Sequence, residues 1–73
     1  MPNAESRIMH AASRMAGRLI ETQPPWNAEY AVGRYLYANT TMTETAAAVL
    51  AQELVESALA DRDGIAGAGA LYV

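Results

Sequence analysis

Cysteine is absent from this 73-residue chain. That removes disulfides, thiolate metal ligands and thiol nucleophiles at once, and it fits a reducing compartment. Lysine is absent too, so the whole positive charge rests on arginine. No run reaches the roughly 18 uncharged apolar residues of a membrane span. Arginines interrupt the N-terminal segment where a signal peptide would carry its apolar core. These absences argue against a membrane-spanning or exported protein and lead to the expectation of a cytoplasmic one. A second targeting reading rests on residues 1–20, which are arginine-bearing, serine-containing and nearly free of acid, as mitochondrial presequences are. An ordinary amphipathic first helix is preferred, because removing twenty residues would leave too little chain to hold a core.

What is present is apolar but small. Hydrophobic residues make up 52% of the chain, too many for a disordered segment, yet much of this content is alanine, which offers little area for burial. A core of this size rarely contributes more than roughly 3–5 kcal/mol, so self-association or a partner is a common complement. The charge is polarised. Residues 1–20 set Arg7, Arg14 and Arg18 against Glu5 alone, whereas the remainder sets Arg34 and Arg62 against seven acids, giving +2 and −5 and the net −3 of the chain. A basic first helix on an acidic body disfavours general nucleic-acid binding, which needs a dominant positive field.

Periodicity divides the chain into three helices. The first is expected to start after Asn3, a good N-cap, and to run to about Glu21, with Ile8, Ala12, Met15 and Leu19, widened by Met9, Ala16 and Ile20, opposite Arg7, His10, Arg14 and Arg18. Gln23-Pro24-Pro25 ends it, since proline removes donors and forces the preceding residue out of helical geometry. Asn27 offers a cap for a short second helix over about 28–38 with an inner stripe of Ala28, Ala31, Val32, Tyr35 and Leu36. Thr41-Met42-Thr43-Glu44 matches a capping box for a third helix, whose stripe is Ala47, Leu50, Ala51, Leu54, Val55 and Ala58 and whose expected end is Asp63-Gly64. The fold class is therefore all-α, a compact three-helix bundle of long, short and long helices: residues 1–64 form one helical domain, and residues 65–73 a flexible or folded-back C-terminal tail.

The residues supply little for chemistry. His10 has Ser6 and Ser13 near it on one helix, but nothing in the chain supplies a group to orient the imidazole or an oxyanion site. Glu53 and Glu56 share a face without a histidine or cysteine companion, which reads as a solvated acidic surface. Gly64, Gly67 and Gly69 lack the preceding strand of a phosphate loop. The expectation is a non-enzyme with no metal and no cofactor.

Three contact features stand out. Tyr30, Arg34 and Tyr37, at i, i+4 and i+7, share a face turned from the inner stripe and are residue types that dominate binding hot spots; in the competing reading the second helix lies between the other two, so that both its faces are partly buried. Arg7, Arg14 and Arg18 could hold an anionic partner or a membrane surface, or could simply be solvated or docked on the acidic third helix. Trp26, next to Pro25, either plugs the end of the core or is a binding residue. The leading expectation is a small acidic protein-interaction module, an adaptor, inhibitor or accessory subunit, whose partner is another protein or a second copy in a homodimer. Phage and mobile-element proteins that block host machinery offer a class analogy. The alternatives are a small helix-turn-helix DNA-binding regulator, whose recognition helix here would present glutamates to the bases, and a peripheral membrane-surface binder acting through the basic first helix.

Overall fold

Proline sets the first boundary of the fold. In a computed structural model that describes residues 4–71, and side chains over residues 4–63, three α-helices follow one another: α1 Ala4–Thr22, α2 Pro25–Asn39 and α3 Glu44–Leu71. Pro24 is extended (φ −64°, ψ 151°) and Pro25 occupies the first turn of α2, where its missing N–H would have had no partner in any case. The Pro24 carbonyl accepts the first bonds of the helix, from the amides of Asn27 at 3.0 Å and Ala28 at 3.2 Å. Helix α2 thus starts ahead of the expected cap. Asn27 lies inside it and its Nδ2 donates to Gln23 Oε1 at 2.6 Å, tying the turn together. Trp26 accordingly sits on the first turn of a helix.

Two threonines organise the second turn. Thr40 Oγ1 donates to the Leu36 carbonyl at 2.7 Å and accepts from the Met42 amide at 3.1 Å, while Asn39 Nδ2 donates to the Tyr35 carbonyl at 2.8 Å. These side chains occupy carbonyls that the end of a helix leaves open. Thr43 then caps α3, its Oγ1 accepting from the Ala46 amide at 3.1 Å. The expected capping box on Thr41 is therefore displaced by two residues: Glu44 stands in the first turn of α3, where its carboxylate faces the positive end of the helix dipole.

The expected stop at Asp63-Gly64 is not found, and α3 continues through the segment assigned to a tail as far as Leu71. A glycine terminates a helix by taking the left-handed conformation at the position after the cap. No glycine among the described residues has a positive φ. Glycine in a helix costs about 1 kcal/mol relative to alanine, and the alanines between these glycines are the best helix formers available. The Asn3 cap, Tyr72 and Val73 lie outside the described residues.

Packing follows a simple rule. Among the residues with described side chains, each helix buries three one turn apart: Ala12, Ala16 and Ile20 from α1, Ala28, Val32 and Leu36 from α2, and Ala47, Ala51 and Val55 from α3. Five of these nine are alanine, whose small side chains favour close approach of the backbones. Gly33 shows how close: a Cβ built there would meet Ala51 Cβ at 3.6 Å and the Ala48 Cα at 3.8 Å. Larger apolar side chains, among them Met15, Leu19, Leu50 and Leu54, flank the seam without filling it. At the end of α1, which has no basic residue in its last turn, Arg62 of α3 reaches the Ile20 carbonyl at 3.4 Å.

This packing separates two substitutions on neighbouring helices. Ala51→Leu forces a larger side chain into the seam facing Gly33 and is expected to lower stability by about 1–3 kcal/mol. Gly17→Ala, where an added Cβ meets nothing within 4 Å, is expected to raise it by up to about 1 kcal/mol. Urea titration followed by circular dichroism measures both.

Candidate functional site

The expected α2 face reaches solvent. Because α2 turns Ala28, Val32 and Leu36 toward both neighbouring helices, its opposite side is left uncovered, with Tyr30 61% and Tyr37 55% exposed and Arg34 exposed beside them. The face is thus more open than the alternative in which α2 lies between the other two helices with both faces partly buried, although neither tyrosine is fully exposed. Trp26, 69% exposed, joins the same side of the helix and does not plug the core. Its position on the first turn of α2, set by Pro25, is what turns it outward.

Arg34 is held against Tyr30. Its Nη1 donates to the Tyr30 hydroxyl at 3.1 Å, and the guanidinium carbon lies 5.7 Å from the ring centroid, within cation–π range. The pair is one helical turn apart, so local geometry brings it together. Beside it an open groove of about 590 Å³ runs between α2 and α3, lined on α2 by Trp26, Glu29, Tyr30, Gly33, Arg34, Tyr37 and Ala38, and on α3 by Glu44, Ala48 and Gln52. Its lining combines the small residues Gly33 and Ala48 with three rings and the Arg34 guanidinium on α2 and with two carboxylates, Glu29 from α2 and Glu44 from α3, beside the Gln52 amide.

Half of this site is absent from the sequence reading. Glu44, Ala48 and Gln52 recur every four residues, which places them on one face of α3. Nothing in that spacing says that the face lies beside α2, because this depends on the seam between the helices.

The arginines of α1 are placed differently. Arg7, Arg14 and Arg18 are exposed on the side away from the core, and among the described residues the one ion pair is Arg62 with Asp63 at 3.5 Å. Of the two alternatives to binding, solvation and docking on the acidic third helix, these positions match solvation, since Glu53 and Glu56 are themselves exposed and none of the three arginines forms an ion pair among the described residues. The apolar stripe of α1 is used within the bundle, so a membrane reading retains electrostatics without a free apolar face. No helix among the described residues is long and apolar enough to cross a membrane.

The α2–α3 groove presents an indole, two phenols, a guanidinium, two carboxylates and an amide together with Gly33, Ala38 and Ala48. His10 is exposed on α1, remote in the chain from this groove and absent from its lining. Among the described residues no group of histidine, aspartate and glutamate could hold a metal ion. Comparison with protein-family models, with curated proteins and with solved structures finds no match to this chain.

Trp26 gives the geometry a direct check. As an exposed ring it contributes little to the bundle, so Trp26→Ala is expected to change the unfolding free energy by less than about 0.5 kcal/mol. Its emission is expected to be quenched readily by acrylamide in dilute protein. A loss of several kcal/mol on substitution would instead place the indole inside the core.

Proposed function

We propose that the protein acts by binding another protein through the α2–α3 face, as an adaptor, inhibitor or accessory subunit, without catalysing a reaction. One observation carries the reading: among the described residues three rings, Trp26, Tyr30 and Tyr37, stand on one exposed side of α2, with Tyr35 alone half-buried against a core built mainly from alanine. Tryptophan, tyrosine and arginine are the residue types enriched at interface hot spots. Contiguous exposed apolar surface with polar borders is characteristic of contact sites. Glutamate or glutamine on α2 would have served a merely solvated face.

The groove also supports specificity. Its small apolar residues reward shape, and the phenol hydroxyls, the Arg34 guanidinium and the Gln52 amide reward matched polar groups. A helix-turn-helix reading gains no comparable support, because the outward residues of α3 include Gln52, Glu53 and Glu56, and carboxylates repel the phosphate backbone.

The test uses the double variant Arg34→Ala/Tyr37→Ala. Both positions are exposed, so its helical circular dichroism is expected to match wild type, while partner affinity falls by at least about tenfold, the loss of a hot-spot residue being worth 2 kcal/mol or more. Affinity purification from the parent organism with both baits, followed by titration of the recovered protein, reads the outcome. Equal recovery by the two baits would remove the α2 face as the site.

A further inference from the structure

We infer that the occupant of the α2–α3 face is a second copy of this chain, docked about a two-fold axis parallel to α2. The inference rests on the contact reading above and names its partner. It comes from how charge is arranged on the two sides of the aromatic strip.

An α-helix advances about 100° per residue. On that basis Trp26, Tyr30 and Tyr37 fall within about 40° of one another and form a single strip. Glu29 and Gly33 lie to one side of it. That side adjoins α3, as the approach of Gly33 to Ala51 shows, so Glu44 of α3 extends the same acidic border. Arg34 lies on the other side and, through its bond to the Tyr30 hydroxyl, is held along the edge of the strip. The strip thus has an acidic border and a basic one.

Symmetry decides which arrangement these borders permit. A two-fold axis perpendicular to α2 makes the helices antiparallel and sets like borders together, Arg34 near Arg34 and acid near acid. A two-fold axis parallel to α2 sets unlike borders together, so that Arg34 of each copy faces Glu29 and Glu44 of the other. The rings then stack along the seam. Only the parallel arrangement is self-complementary, and a self-complementary patch is what a two-fold interface requires.

The rings supply most of the area such an interface needs. A fully buried aromatic side chain covers about 150–250 Å², so three rings that are 69%, 61% and 55% exposed offer on the order of 400 Å² per copy. The borders and the rim of α3 bring the pair toward the roughly 1,200 Å² at which specific interfaces begin.

The experiment is sedimentation equilibrium of the full chain from about 1 μM to 1 mM, the span of ordinary dimer constants, with Trp26 emission recorded on the same samples. The expected result is a doubling of mass accompanied by a blue shift as the indole leaves water. Arg34→Glu and Glu29→Arg are each expected to weaken the dimer by about tenfold or more, since like charges then face each other. The combined swap restores most of the loss. Val49→Glu, at an exposed position outside the groove, leaves the constant unchanged. Arg34→Gln, which removes the charge without reversing it, weakens the dimer less than Arg34→Glu and serves if the reversed charge disturbs the helical signal. A mass of one chain at every concentration overturns the inference, as does a dimer indifferent to the single changes or one that the swap fails to restore. A monomer bears on the dimer alone, because capture of a different protein by the same face is read by the Arg34→Ala/Tyr37→Ala baits.

Discussion

The separation of the helices governs the rest of this structure. Ala12 and Ala16 on α1, Ala28 on α2, and Ala47 and Ala51 on α3 favour close approach of the three backbones, and among the described residues no aromatic ring is fully buried between them. Leu36, Val32 and Val55 are the largest side chains fully buried. Any larger apolar group must flank the seam, as Met15 and Leu54 do, or leave the interior, as Trp26, Tyr30 and Tyr37 do. The composition agrees with this division. The chain contains no phenylalanine, the ring that has no polar end to offer water, and its exposed rings each carry an N–H or O–H.

The same constraint explains what could be read from the sequence. Apolar residues one turn apart announce a buried stripe whatever it packs against, so the cores of all three helices were legible from periodicity alone. Helix ends were not, because they turn on which of several equivalent donors is used. Thr41 with Glu44 satisfies the capping-box pattern, but Thr43 is closer to the helix and takes the Ala46 amide. Asn27 is a good cap by type, yet Pro25 begins a helix at no cost in hydrogen bonds and carries Asn27 inside. Gly64 reads as a terminator, while its role depends on a left-handed conformation that no described glycine adopts. In each case a local rule named a residue able to do the job and tertiary structure used another.

The site divides along the same line. Tyr30, Arg34 and Tyr37 were recognisable as one face because helical spacing alone puts them together. Trp26 was ambiguous, since a ring after two prolines in a linker can turn in or out, whereas on the first turn of α2 its direction is fixed by the helix. Glu44, Ala48 and Gln52 entered only with the fold. The basic stripe of α1 shows the complementary case: opposite charges on α1 and α3 suggest attraction, but each set is exposed on its own helix, and none of the three arginines forms an ion pair among the described residues.

Exporting the rings couples stability to association. Alanine buries little area, so the seam contributes less than a core of the same number of leucines would, and much of the apolar surface left over lies on the α2 face proposed to bind. A ligand that engages only the folded chain adds RT ln(1 + [L]/Kd) to its stability, about 2.7 kcal/mol at one hundred times Kd, which is comparable with the few kcal/mol expected of a core this small. Substitutions in the seam change the fold and the face together, because α2 and α3 form the groove only while Gly33 lies against Ala48 and Ala51. Substitutions on the face leave the isolated bundle nearly unchanged and reduce its stability only where its partner is present. That difference in behaviour, more than the loss of binding itself, distinguishes a surface built for contact from one that merely has rings on it.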